Sequence, residues 1–328
     1  MKKFFQEKSK ILFLCLFVVL TCTACSNPRG SDGRVKVDEI IASEQIEVKK
    51  SLVNVSEIED KKLAKKYEKL KADDMITIEP TTFKDAINDG WFDGLIVWPI
   101  AQIINMISEY TDAGIGIIAT TILIQVIVFF ATRKSQMSSQ RMQEIQPEMM
   151  RIQNKYKDKT DDRSKMMMYQ ETQKLYEKYD IHPFGTMLVT FIQLPIMMGM
   201  YYATMRAASI VYGSFFGNPF SGTPMDGIKN MQPAYIVVYV LMIVFQLLSM
   251  KMPQILKKMQ DKKDNVKTKK YAQPENGMMN TMNMTMYFST AMIAILCISW
   301  PIAMSFYWMV SSIVRMIQSL ILHKVMNK

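Results

Sequence analysis

The stretch from Gly114 to Thr132, GIGIIATTILIQVIVFFAT, is apolar apart from one amide near its middle, Gln125. About 20 residues rising 1.5 Å each cross a hydrocarbon layer ~30 Å thick, where every backbone polar group must be paired within the segment; a transmembrane helix is predicted. Lipid offers Gln125 no hydrogen-bond partner. Its amide must face either a neighbouring helix or a wet cavity, and both readings stand at this point.

With 328 residues, 49% of them hydrophobic, and a mean hydropathy of +0.03, the chain is too polar to be membrane throughout and too apolar in blocks to be simply soluble. A membrane protein with sizeable aqueous parts follows. The net charge of +10 sits mostly beside apolar spans, where the positive-inside rule expects Lys and Arg, so it does not call for a directly bound nucleic acid. Cys15, Cys22, Cys25 and Cys297 lie in or beside apolar segments without metal-ligand spacing, which leaves no disulfide framework or zinc site to argue for. Histidine occurs only as His182 and His323, no cluster of His, Ser, Asp or Cys converges on one span, and no G-x-x-x-x-G-K-[ST] loop occurs. Neither an enzyme nor a cofactor is expected.

Lys2, Lys3, Lys8 and Lys10 precede the apolar run Ile11 to Leu20, and Thr23-Ala24-Cys25 follows, the order of a secretory signal. TCTAC resembles a bacterial lipobox, so residues 1–24 are expected to be removed and Cys25 lipidated; an uncleaved signal anchor is the alternative. Residues 25–90 are polar and lack a long apolar run. They read as a solvated extracellular arm with a modest helix face at Ile58, Leu63, Tyr67 and Leu70. In 91–110 the rings of Trp91, Phe92 and Trp98 alternate with Asp93, Gln102, Asn105 and Glu109, which suits an interfacial amphipathic helix.

Spans are predicted at 111–132, 183–205, 233–250, 281–299 and 302–322, five in the mature chain. Loop charge orients them. Residues 133–182 are charged and helix-forming, broken at Pro147 and at the turn Asp158 to Asp162, and predict a cytoplasmic helical hairpin using Met166, Tyr169, Leu175 and Tyr176. Residues 206–232 form an extracellular loop, 251–280 a basic cytoplasmic loop and 323–328 a cytoplasmic tail. The 31 methionines, many near the cytoplasmic face, suit a surface that meets many apolar partners, or reflect compositional bias.

Several stretches, in order, resemble the YidC/Oxa/Alb family of membrane protein insertases. They are TILIQ (Thr121 to Gln125) with VIVFFATRKSQ after it, MQEIQPEMMRIQNKYK (Met142 to Lys157), LYEKYDIHPFG (Leu175 to Gly185), FIQLPI (Phe191 to Ile196) and SWPIAMSFYWMVSSIVRMIQSLIL (Ser299 to Leu322). The similarity covers about residues 91 to 324, and the lipobox with five spans resembles the shorter, Gram-positive branch. It implies an all-α polytopic membrane protein. Five transmembrane helices surround a hydrophilic groove open to the cytosol, through which nascent membrane proteins enter the plasma membrane, alone or with the Sec translocon. Ribosome and membrane lipids are further implied partners.

The family usually has an arginine where this chain has Gln125. Arg315 lies about 13 residues in from the outer end of the last span and Gln125 about 11 from that of the first, so their depths agree within about one turn. Two readings follow: the groove charge has moved to the last helix, or Arg315 snorkels to inner headgroups. Gln193, Gln246, Trp300 and Tyr307 are further candidates for the groove, with interhelix packing as the alternative for each. An inactive insertase-like scaffold remains open, as does a small-solute transporter, though no internal repeat is visible.

Overall fold

A computed structural model describes residues 27–58, 61–159, 161–181, 183–263 and 278–326. The signal region, Cys25, His182 and residues 264–277 of the basic loop therefore lie outside the described residues. The helices α1 (Lys61–Glu68), α2 (Phe83–Asp89), α3 (Trp98–Tyr110) and α4 (Ala113–Glu144) come first, with strands β1 (Ile46–Lys49) and β2 (Met75–Ile78) among them. Next are α5 (Gln146–Tyr156), α6 (Asp162–Lys178), α7 (Pro183–Arg206) and α8 (Ala208–Val211), then β3 (Ser214–Phe215) and β4 (Asn218–Pro219). The chain continues through α9 (Pro224–Lys229), α10 (Pro233–Lys263), α11 (Met278–Cys297) and α12 (Ile302–Met326). Two compact units emerge, one from residues up to Thr120 with Leu194–Gly222, the other from Thr121–Gln193 with Thr223–Lys328.

The first unit corrects the reading of 25–90 as a solvated arm and adds two short ribbons to the all-α expectation. Its β-branched residues come in short alternating groups such as Ile46 with Val48 and Ile76 with Ile78, and folding gathers Val35, Val37, Ile40, Val48, Val53, Ile76 and Ile78 into one buried core. β1 and β2 pair antiparallel, with Val48 opposite Ile76. α2 starts on a capping box, in which the Thr82 hydroxyl accepts from Asp85 N–H while the Asp85 carboxylate accepts from Thr82 N–H. α3 uses its polar residues on protein backbone. Trp98 Nε1 donates to the Thr81 carbonyl at 2.8 Å, Gln102 Nε2 to the Ala42 carbonyl at 3.1 Å, and Asn105 Nδ2 to the Ile41 carbonyl at 2.8 Å. The opposite edge of α3 leaves Met106 and Tyr110 exposed. Gly94, just before α3, is a position where no Cβ fits: one would stand 2.8 Å from the Ile87 Cα.

Three described helices are long and apolar enough to cross a membrane: α4, most of which belongs to the second unit, α10 and α12. Their surfaces are inverted relative to a soluble protein, with Ile127, Phe130, Val240, Val244, Ile317 and Ile321 exposed while Gln125, Gln246, Ser311 and Ser312 are buried. Water does not reward that arrangement; hydrocarbon does. α4 and α10 also run well past the predicted span ends at 132 and 250, reaching Glu144 and Lys263. A fall in hydropathy marks the edge of the lipid, not of the helix, because Lys, Gln, Arg and Met propagate a helix equally well in water.

α5 and α6 pack against each other through a short turn. Asp161 caps α6 by accepting from Ser164 N–H, and Asp180 turns the chain with φ 50°. The small core of this pair joins Ile145, Leu175 and Ile181, with Met149, Ile152 and Tyr176 against it. Met166 and Tyr169, expected on the packed face, are 63% and 62% exposed. They lie nearer the tip, where α5 is too short to cover them. Leu175→Ala should cost about 2 kcal/mol, the low end for a buried leucine in so small a cluster, and loosen only the hairpin. Faster hydrogen exchange confined to residues 142–181 would register it; unchanged exchange would count against this core.

Candidate functional site

α12 carries a polar stripe on an otherwise apolar helix. Trp308, Ser311, Ser312, Arg315 and Gln318 recur every three or four residues and so share one face. Ser311, Ser312 and Gln318 are buried. Each needs a partner, because a polar group left bare inside a membrane protein is costly.

Gln246 of α10 supplies several of them through one atom. Its Oε1 accepts from Ser312 Oγ at 2.8 Å, from Arg315 Nη2 at 2.9 Å and from Trp308 Nε1 at 3.2 Å. Arg315 Nη2 also reaches Ser312 Oγ at 2.9 Å. The guanidinium is thus tied to the α10–α12 contact by neutral oxygens, and no ion pair involves it among the described residues. On α4, Gln125 Nε2 donates to Ser311 Oγ at 3.3 Å and the Gln125 carbonyl accepts from Gln318 Nε2 at 3.1 Å. On α7, Gln193 Nε2 donates to the Tyr307 hydroxyl at 3.2 Å.

Gln125, Gln193, Arg315 and Gln318 border a cavity of about 240 Å³. Gln125, Gln136, Gln140, Gln193, Arg315 and Gln318 line it, together with Ser139, Ser249 and Ser319. No carboxylate is among the lining residues, so six glutamine side chains, Gln143 included, and three serine hydroxyls surround a single formal charge, and it is positive. Its walls come from the C-terminal parts of α4 and α12, the N-terminal half of α7 and the stretch of α10 around Pro253. A polar space of that size holds several waters, each with amides to bond.

Of the residues singled out from sequence, Gln125, Gln193 and Arg315 line the cavity. Gln246 and Tyr307 stand one hydrogen bond behind it, holding Arg315 and Gln193. Trp300 does not belong with them: it sits in the turn between α11 and α12, at the opposite end of α12 from the lining residues. Trp308, Ser311, Ser312 and Gln318 were missed. Their signal in the sequence is a stripe of polar residues at helical spacing along an otherwise apolar segment. Nothing in this arrangement pairs an acid with a base or a nucleophile, and among the described residues no group of three or more His, Cys, Asp or Glu is placed to hold a metal. The chemistry on offer is hydration and the reception of negative charge.

Comparison with known proteins adds to this geometry. The chain is 27% identical over 247 residues to Membrane protein insertase MisCA of Bacillus subtilis (strain 168), covering 74% of this chain and 82% of that protein. With Membrane protein insertase YidC of Oceanobacillus iheyensis it shares 27% identity over 241 residues, 73% of this chain and 86% of the relative. A shorter match to Membrane protein insertase YidC 1 of Streptococcus pyogenes serotype M1 reaches 34% over 128 residues, 39% of this chain and 46% of the other. The family model described as 60Kd inner membrane protein matches residues 103–328, well over half of the sequence, and the chain therefore belongs to that family, the YidC/Oxa/Alb group.

Proposed function

We propose that this protein inserts nascent membrane proteins into the cell membrane, and that the cavity beside Arg315 receives the polar flank of an incoming segment. The observation that carries the reading is that Arg315 and Gln125, on different helices, border one amide-lined space with no carboxylate in its lining. A charged side chain brought to the bilayer centre costs about 2.5 to 3.5 kcal/mol on insertion scales. A wet half-depth cavity lowers that barrier because the passenger exchanges bulk water for glutamine amides and bound water. A fixed cation adds attraction for acidic flanks. No nucleotide is needed.

The topology proposed with this function uses α4, α7, α10, α11 and α12 as five spans. His323 and Lys324 close α12, and Lys262 and Lys263 close α10, so the positive-inside rule puts these ends, and the cavity mouth beside them, on the cytosolic side. The α5–α6 hairpin then projects into the cytosol, within reach of a ribosome, and lipidated Cys25 lies outside. The Sec translocon is a partner on the same reading.

A photo-crosslinker placed at Ser319, in the cavity, or at Trp300, outside it, tests this in vesicles holding the full protein with ribosome-bound nascent chains of a membrane client. Crosslinks are expected from Ser319 in clear excess over Trp300. Equal yields, or none from either, would count against passage through the cavity.

A further inference from the structure

We infer that the free edge of β1 is a docking strand for an extended polypeptide segment carrying apolar and basic side chains, a site separate from the cavity and independent of the insertion reading. In an antiparallel pair, bonded and non-bonded positions alternate, so every second residue turns its N–H and C=O away from the partner strand. Lys50 N–H donates to the Asp74 carbonyl at 2.9 Å, which sets the phase: Ile46 and Val48 bond to β2, while the backbone groups of Glu47 and Lys49 point the other way. Among the described residues no hydrogen bond reaches the N–H or C=O of Glu47 or the N–H of Lys49, whereas the Lys49 carbonyl opens the 3-10 turn Lys50–Leu52.

The same edge is already used for pairing a few residues upstream. Ile41 N–H donates to the Arg206 carbonyl at 2.7 Å and the Ile41 carbonyl accepts from Ala208 N–H at 3.0 Å, a parallel bridge to the α7–α8 connection. Beyond that bridge the two segments diverge. A groove of about 510 Å³ opens between β1 on one side and the ends of α3 and α8 on the other. An edge that the fold protects is covered by a helix or loop; here the helices stand across a gap. Unpaired donors and acceptors repeating along a strand fit another extended backbone, the mode known as strand addition.

Side chains select the sequence of the guest. Ile46 on the strand, with half-exposed Leu52 and Met75, supplies apolar contact, whereas Val48 stays buried in the core of the first unit. Glu44, Glu47 and Glu109 border the groove without an ion pair among the described residues, whereas the one lysine there, Lys49, lies 3.7 Å from Asp73. The balance is acidic, so the complementary guest is basic. A four-residue strand at ~3.3 Å per residue engages about 13 Å of guest.

The test uses the full chain in phosphatidylcholine nanodiscs and a fluorescein-labelled heptapeptide of alternating lysine and valine, read by anisotropy. Saturable binding is expected, weakened about tenfold or more when alternate backbone nitrogens of the peptide are methylated, since this removes the ladder and leaves the side chains. Glu47→Pro should weaken binding similarly, because it removes an outward N–H while the bonds of Ile46 and Val48 to β2 remain. Glu44→Gln with Glu109→Gln should lower affinity a few-fold at low salt. Arg315→Ala should bind the peptide as the parent does. The inference is overturned if the peptide does not bind, or if methylated and unmethylated peptides bind alike. It is also overturned if Glu47→Pro changes nothing, or if the parent self-associates and Glu47→Pro dissolves that dimer, which would make the occupant a second copy.

Discussion

Arg206→Ala is expected to be the most destabilising single change in the first unit, by about 3 to 5 kcal/mol, the range for removing one partner of a buried ion pair. Arg206 is 5% exposed. Its Nε donates to the Glu39 backbone carbonyl at 2.8 Å and lies 3.1 Å from Glu39 Oε2, while its Nη1 pairs with Asp93 Oδ1. Three segments distant in sequence meet on this one guanidinium: the start of the small domain, the approach to α3 and the end of α7. Without it two largely buried carboxylates face each other with nothing between them. Full-length protein digested by protease at increasing urea would show cleavage within 27–90 at a lower midpoint, and Arg206→Lys would recover part of the loss. A shift below about 1 kcal/mol would mean that the triad is incidental.

The same cluster sets a pH dependence. Burial raises the pKa of Glu39 above its ordinary value, even though Arg206 pulls the other way. A carboxyl with a higher pKa folded than unfolded takes up a proton on folding; its contribution is fullest below the unfolded pKa and fades as pH rises through the folded one. Removing Arg206 deletes the opposing pull. The alanine variant should therefore regain stability on acidification from about pH 7 towards 5 to a greater extent than the parent. If both lose stability in parallel on acidification, the burial of Glu39 is not what governs this site.

Arg315→Ala should reduce insertion of clients with acidic translocated tails about tenfold or more, and of neutral clients much less. The discrimination arises because the cation is singular: the lining offers no second positive charge, and Gln125 and Gln193 hydrate without attracting. Lysine at 315 should restore part of the activity, as it keeps the charge but loses the paired hold on Gln246 and Ser312. Adding Gln125→Arg to the alanine variant returns a charge from the facing wall and should rescue acidic clients. Protease protection of client tails in a strain depleted of its own insertase reads all three. Normal insertion of acidic tails by Arg315→Ala would end the idea that this residue supplies the attraction.

Hydropathy alone marks α4, α10 and α12 as long and apolar enough to cross a membrane. The hairpin was legible for a similar reason: helix periodicity and a polar turn are local properties, set by residues three or four apart. Even the comparable depths of Gln125 and Arg315 could be counted along their helices. What could not be read is which amide meets which hydroxyl. Gln125 is 186 residues from Ser311, and Gln246 is 69 from Arg315. A helix of given sequence presents the same stripe whichever neighbour it packs against. The residues that hold Arg315, the exclusion of Trp300 and the core hidden in the polar arm were decided only when distant segments packed, because a buried polar group takes its partner from tertiary contact rather than from chain neighbours.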